Sequence, residues 1–175
     1  AVAESEKTLA TLETRITTTP QTIAGFVFPI VGAHNFVSSF GFCRDGCSRS
    51  HQGNDLFAAS GTPVVAVEDG WVERVGANSL GGQIVWTRGR SGYRYYYAHL
   101  DSWAPGIAAG QPVVAGTPIG TVGNTGNAAT TPPHLHFEIH PGTSKAIDPY
   151  PILHAAPVLT PPPSTDPTST TTLGS

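Results

Sequence analysis

Apolar residues in the middle of this chain recur in short runs rather than at helical intervals. Val64-Val65-Ala66-Val67, Trp71-Val72-Glu73-Arg74-Val75, Gln83-Ile84-Val85-Trp86-Thr87 and Tyr93–Leu100 are separated by Gly, Asn and Asp, the pattern of strands bounded by turns. In His134-Leu135-His136-Phe137-Glu138-Ile139-His140 the alternation is strict. Successive strand side chains point to opposite faces. That predicts Leu135, Phe137 and Ile139 in a core and His134, His136, Glu138 and His140 together on the other face. The same rule applied to Tyr95-Tyr96-Tyr97-Ala98-His99-Leu100 puts Tyr95, Tyr97 and His99 on one face.

An internal echo adds a topology. Gly61-Thr62-Pro63-Val64-Val65-Ala66 is matched by Gly110-Gln111-Pro112-Val113-Val114-Ala115, and each copy leads into a turn and another strand. Two related hairpins folding onto each other predict an all-β domain, a small antiparallel β-barrel or sandwich, over residues 23–154. Both ends of the chain read differently. Leu9, Leu12 and Ile16 lie at helical spacing with Glu6, Lys7, Glu13 and Arg15 on the other faces. Residues 1–22 are therefore expected to be a short N-terminal helix and linker, readable as the end of a coiled coil and a docking element for a protein partner. Residues 155–175 are rich in Pro, Thr and Ser and are expected to be a disordered linker or tail.

Composition narrows the function classes. The chain has 175 residues, enough for one domain, of which only 12% are charged, with a net charge of -3. That balance argues against a nucleic-acid partner, which calls for a basic patch. No apolar run approaches the ~18 residues of a membrane-spanning helix. Gly 20 and Pro 16 together exceed a fifth of the chain, and Met is absent, as in a turn-rich exported protein. Cys43 and Cys47, the two cysteines, flank Arg44-Asp45-Gly46. The Asp-Gly turn can bring them within disulfide range. Two free thiols or a pair of soft metal ligands are the alternatives, though no second pair exists to complete a thiolate zinc site. A disulfide places the chain in an oxidising compartment, and the expected location is extracellular, in the cell wall or periplasmic.

Seven histidines in so lightly charged a chain direct attention to metal chemistry. An exposed strand can carry polar residues of any kind, but three histidines on one strand face are hard to explain as surface. His51-Gln52-Gly53-Asn54-Asp55 sets an imidazole and a carboxylate four residues apart. Alone, that spacing fits a solvated loop with a capping Asp. Together with the strand histidines, His51, Asp55 and one of His134 or His136 form a three-ligand set that leaves a coordination position open for water. A lone His99 after aromatics is more often packing than chemistry, and its weight comes from the other histidines.

The motifs HQGND (51–55), YAHL (97–100), GNTGN (123–127) and PHLHFEI (133–139), in this order, resemble the lysostaphin-like peptidoglycan metalloendopeptidases, and the likeness spans about residues 26–150. The resemblance implies a fold of the duplicated-hybrid-motif type and one Zn²⁺ per chain, bound by His51, Asp55 and His136. It implies His99 and His134 as the catalytic histidines, and peptide bonds of bacterial peptidoglycan as the substrate, cut by a zinc-activated water. Asn35 stands where that family often has a polar residue facing the site. Glu138 is expected to support His136 or the strand, and His140 to lie at the rim. Two features depart from the family: the stretch before His134 is longer and Thr-rich, and the Cys43–Cys47 loop precedes His51. The alternative within the same fold is a non-catalytic wall-binding or hydrolase-activating module. A lipoyl- or biotinyl-type carrier is set aside because Glu68-Asp69-Gly70 and Gly116-Thr117-Pro118 offer no lysine.

Overall fold

A computed structural model describes residues 22–161. The helix expected over residues 4–16, the partner read from it, and the chain beyond residue 161 lie outside the described residues. Among the described residues ten strands form two sheets. Strands β1 (Cys43–Arg44) and β2 (Arg49–Ser50) make a small hairpin. The main sheet contains β3 (Asn54–Phe57), β4 (Pro63–Val65), β5 (Gly70–Asn78), β6 (Gly82–Gly89), β7 (Tyr93–Trp103), β8 (Pro112–Val113), β9 (Pro118–Val122) and β10 (His134–Pro141). Its order is β3-β10-β7-β6-β5-β8, with β9 branching from β7 and pairing β4. All pairings are antiparallel.

The all-β reading holds, but the expected barrel does not close. β3 and β8 stand at opposite ends of the strand order and do not pair with each other. At the β8 end Pro112 has no N–H to extend the ladder. The long strand β7 divides its partners instead: Tyr93–Ala98 pairs with β10, while Leu100, Ser102 and Trp103 pair with β9. The sheet thus folds over its own apolar face without closing.

That face explains the strand pattern. Tyr95, Tyr97, Leu135, Phe137 and Ile139 are fully buried with Leu56, Ile84, Leu100 and Ile119. The sequence echo has a structural counterpart. Gly61 N–H donates to the Val122 carbonyl, and Val122 N–H to that of Thr62. Gly110 N–H donates likewise to Val72, and Val72 N–H to Gln111. One short helix, α1 (Tyr150–Ala155), buries Ile152 and Leu153 against the core. Beyond it the chain does not leave the domain at once. The Pro157 carbonyl accepts from Phe28 N–H at 2.9 Å and the Leu159 carbonyl from Gly32 N–H at 3.0 Å. The stretch expected to begin a linker therefore lies along residues 28–32.

Candidate metal centre

A groove of about 880 Å³ opens over the middle of the sheet. One wall is the β1–β2 hairpin, the floor is β3, β10 and β7, and the opposite wall includes Leu80, Asn127, Ala128, Thr131 and Pro132. The longer Thr-rich stretch before His134 thus borders the groove. The hairpin is closed by the Cys43–Cys47 disulfide, with Cα atoms 4.5 Å apart.

The floor positions the chemistry through strand register. Asp55 on β3 lies directly opposite His136 on β10, and Phe57 opposite His134. Side chains so paired in an antiparallel sheet have Cβ atoms about 5 Å apart. His51 reaches the same spot from the turn before β3, anchored by its backbone N–H to the Phe42 carbonyl at 2.8 Å. The turn works because residue 53 is glycine. A Cβ there would sit 2.2 Å from the Phe137 carbonyl oxygen, closer than any real contact.

Three atoms converge: His51 Nε2 and His136 Nδ1 are 2.9 Å apart, and Asp55 Oδ1 lies 3.0 Å from the first and 3.1 Å from the second. Hydrogen bonds on the far side of each ring decide what they present. His51 Nδ1 lies 2.8 Å from the Ser39 carbonyl and His136 Nε2 2.8 Å from Glu138 Oε1. Both of those nitrogens must carry the proton, because their partners only accept. In the neutral rings the other nitrogens then aim bare lone pairs at each other and at a carboxylate oxygen. Three lone pairs at this spacing repel unless a cation lies between them. Ligands around tetrahedral Zn²⁺ would be roughly 3.3 Å apart, from metal–ligand lengths of about 2.0–2.1 Å. The donor set fits such an ion. Burial alone lowers the His136 pKa, but hydrogen bonds to Asp55 and Glu138 outweigh it and raise the pKa. Burial likewise pushes the Asp55 carboxyl up, while its bonds to His136 and His51 hold it well below the usual carboxylate range.

Two more histidines stand beside the triangle. His134 Nδ1 donates to the Pro132 carbonyl at 2.9 Å and His99 Nδ1 to the Thr125 carbonyl at 2.8 Å. In the neutral ring each then presents Nε2 as a lone pair. Their rings are 5.0 Å apart, and His134 Nε2 is 3.9 Å from Asp55 Oδ1. Burial pushes the His99 pKa down to about 4, with the neighbouring His134 and His136 adding to the effect, so His99 is neutral at pH 7.

His99 arrives here against the alternation rule. Tyr95 and Tyr97 are in the core, yet His99 lines the groove with Tyr96 and Ala98. From Tyr97 to Leu100 β7 advances three residues while β6 advances two, from Val85 back to Gln83. His99 itself has φ of 61°. This is a β-bulge with its extra residue in the left-handed region, which turns the side chain to the other face. Asn35 also departs from expectation: its backbone pairs with Phe57, and it does not line the groove. His34 stacks on Phe28 and His154 on Tyr150, away from the site. His140 Nε2 lies 2.6 Å from Glu138 Oε2. Arg44 also lines the groove and had no role in the sequence reading. Arg44 Nη2 donates to Asp55 Oδ2 at 2.6 Å, and only its place inside the cysteine loop, just before His51, hinted at it.

Known proteins resemble this chain in sequence and fold. The model of peptidase family M23 matches residues 49–149. Over 139 residues the chain is 37% identical to the L-Ala–D-Glu endopeptidase of Bacillus subtilis strain 168, covering 74% of this chain and 43% of that protein. The catalytic domain of the antimicrobial peptidase lysostaphin from Staphylococcus simulans has a TM-score of 0.61 at 32% identity, covering 70% of this chain and 93% of that one. A zinc-containing peptidase from Vibrio cholerae has a TM-score of 0.58 at 31% identity, covering 66% and 36% respectively. The chain spans less than half the length of the curated relatives it matches.

Proposed function

The chain belongs to peptidase family M23, and on that premise we propose that it is a zinc metalloendopeptidase that hydrolyses peptide bonds of bacterial peptidoglycan. The observation that carries this reading is the triangle of His51 Nε2, Asp55 Oδ1 and His136 Nδ1 with His99 and His134 beside it. Peptidoglycan as substrate draws support from the L-Ala–D-Glu endopeptidase named above, and zinc from the peptidase of Vibrio cholerae. Action outside the cytoplasm is supported by the Cys43–Cys47 disulfide, which persists in oxidising compartments.

His51, Asp55 and His136 would hold the ion, with Glu138 fixing the His136 ring and Ser39 the His51 ring. A bound zinc ion supplies Lewis acidity and lowers the pKa of a coordinated water towards neutrality. Proton handling falls to His99 and His134, whose Nε2 lone pairs face the same space from fixed rings. Either can accept the proton of an attacking water, and, once protonated, give it to the departing amine or steady the developing oxyanion. The Thr125 and Pro132 carbonyls keep both rings in the accepting tautomer without adding a charge.

The test is release of free amino groups from purified sacculi by protein as isolated, after chelation, and after zinc is restored. We expect release that stops with the chelator and returns with zinc. No release from any wall type at one zinc per chain would overturn the reading.

A further inference from the structure

Arg44 is the feature that the chemistry above leaves unused. It sits on β1 in the groove wall, inside the ring closed by Cys43 and Cys47. Its side chain keeps 35% of its exposure. One nitrogen, Nη2, is committed to Asp55 Oδ2; among the described residues Nε and Nη1 make no hydrogen bond. The other charges around the groove are already matched. Asp45 pairs with Arg49, and Glu138 is engaged on both oxygens by His136 and His140. The wall opposite Arg44, with Leu80, Asn127, Ala128, Thr131 and Pro132, carries no charge. With a divalent ion in the triangle, two arginines and the ion outweigh the three carboxylates by one positive charge. A guanidinium held in place, about a third exposed and with a free N–H edge, is built to meet a carboxylate.

We propose that Arg44 anchors a carboxylate of the substrate, so that the groove takes a peptide with a free carboxylate beside the scissile bond, as stem peptides have and oligoglycine bridges lack. The inference rests on the peptidase reading and adds the substrate class to it. A carboxylate bound by Arg44 lies next to the Asp55 end of the triangle, because the same guanidinium touches Asp55. The anchor and the reacting carbonyl are thereby held within one or two residues of each other along the peptide. The disulfide limits how far the hairpin can carry the guanidinium away.

The experiment compares kcat/KM of the zinc-loaded chain on three peptides. Two are stem peptides that differ only in free or amidated carboxylates, and the third is an oligoglycine. The free-carboxylate stem should be cut about tenfold better than its amide, the scale of a partly exposed hydrogen bond between charged groups. Arg44→Gln should bring that ratio close to one, Arg44→Lys should keep part of it, and Arg49→Gln, which leaves Arg44 in place, should keep it whole. Because the readout is a ratio, any general damage to Asp55 cancels. The wild-type ratio needs no variant to fold. A wild-type ratio near one, a ratio retained in Arg44→Gln, or faster cleavage of oligoglycine would each overturn the anchor while leaving the peptidase reading intact. Failure to cut any of the three peptides or sacculi would contradict both.

Discussion

Strands β10 and β7 lie side by side and deliver histidines to the same groove by opposite means. In β10 the regular pleat does everything. Leu135, Phe137 and Ile139 are fully buried, and the residues between them necessarily face the groove. His136 is thus placed by three apolar neighbours and by its cross-strand partner Asp55. In β7 a regular pleat would put His99 in the core after Tyr95 and Tyr97. A bulge opposite β6 and a left-handed backbone at residue 99 bring it over instead. Regular and irregular backbone thus serve one groove. In the proposed mechanism the ligands Asp55 and His136 and the proton-handling His134 stand on regular strands, whereas His99 is re-aimed by a local irregularity. Left-handed backbone costs an L-residue roughly 1–2 kcal/mol, and such costs gather at functional sites.

The largest effect that separates the two strands should come from the ion ligands. His136→Ala and Asp55→Ala each remove a ligand, and activity on sacculi should fall by about a thousandfold or more, since the ion's charge stabilisation is worth several kcal/mol. Next is His99→Ala, which should lower kcat by about a hundredfold or more, the usual scale of a positioned acid–base group. A variant that cleaves sacculi at the native rate would remove β7 from the chemistry.

Smaller effects appear in stability. Gly53→Ala forces a Cβ against the Phe137 carbonyl and should cost about 2 kcal/mol in urea denaturation, in the range of overpacking a core. An unchanged midpoint would show that the turn before β3 can open without cost. The smallest effect is also the most pointed. At position 99 glycine should be more stable than alanine by about 1 kcal/mol, because glycine tolerates positive φ. At position 138, on the regular strand, the order should invert by roughly 0.5–1 kcal/mol in favour of alanine. The same order at both sites would break the comparison between the strands.

Much of this was legible in the chain, and the reasons are local. Strict alternation from His134 to His140 determines a face once Leu135, Phe137 and Ile139 are buried. The echo of Gly61–Ala66 in Gly110–Ala115 reflects equivalent backbone hydrogen bonds to Val122 and Val72. What alternation could not show was where it stops. Nothing in YYYAHL marks Ala98 and His99 as a bulge, since the extra residue is defined only against the partner strand β6. The open sheet was hidden for a similar reason, because β7 changes partner halfway along its length. Arg44 was unreadable because its contact with Asp55 spans a loop whose path depends on the disulfide and on His51. Asn35 shows the converse error. A polar residue near a motif need not face the site, and this one is held by backbone pairing to Phe57.

In the proposed mechanism β3 and β10 carry ion ligands, and His99, on the bulge in β7, handles protons without being a ligand. The direct test is zinc content per chain by equilibrium dialysis, for the native protein, His136→Ala and His99→Ala side by side. One zinc per chain is expected in the native protein and in His99→Ala, and none in His136→Ala. Zinc lost from His99→Ala, or retained in His136→Ala, would contradict this mechanism.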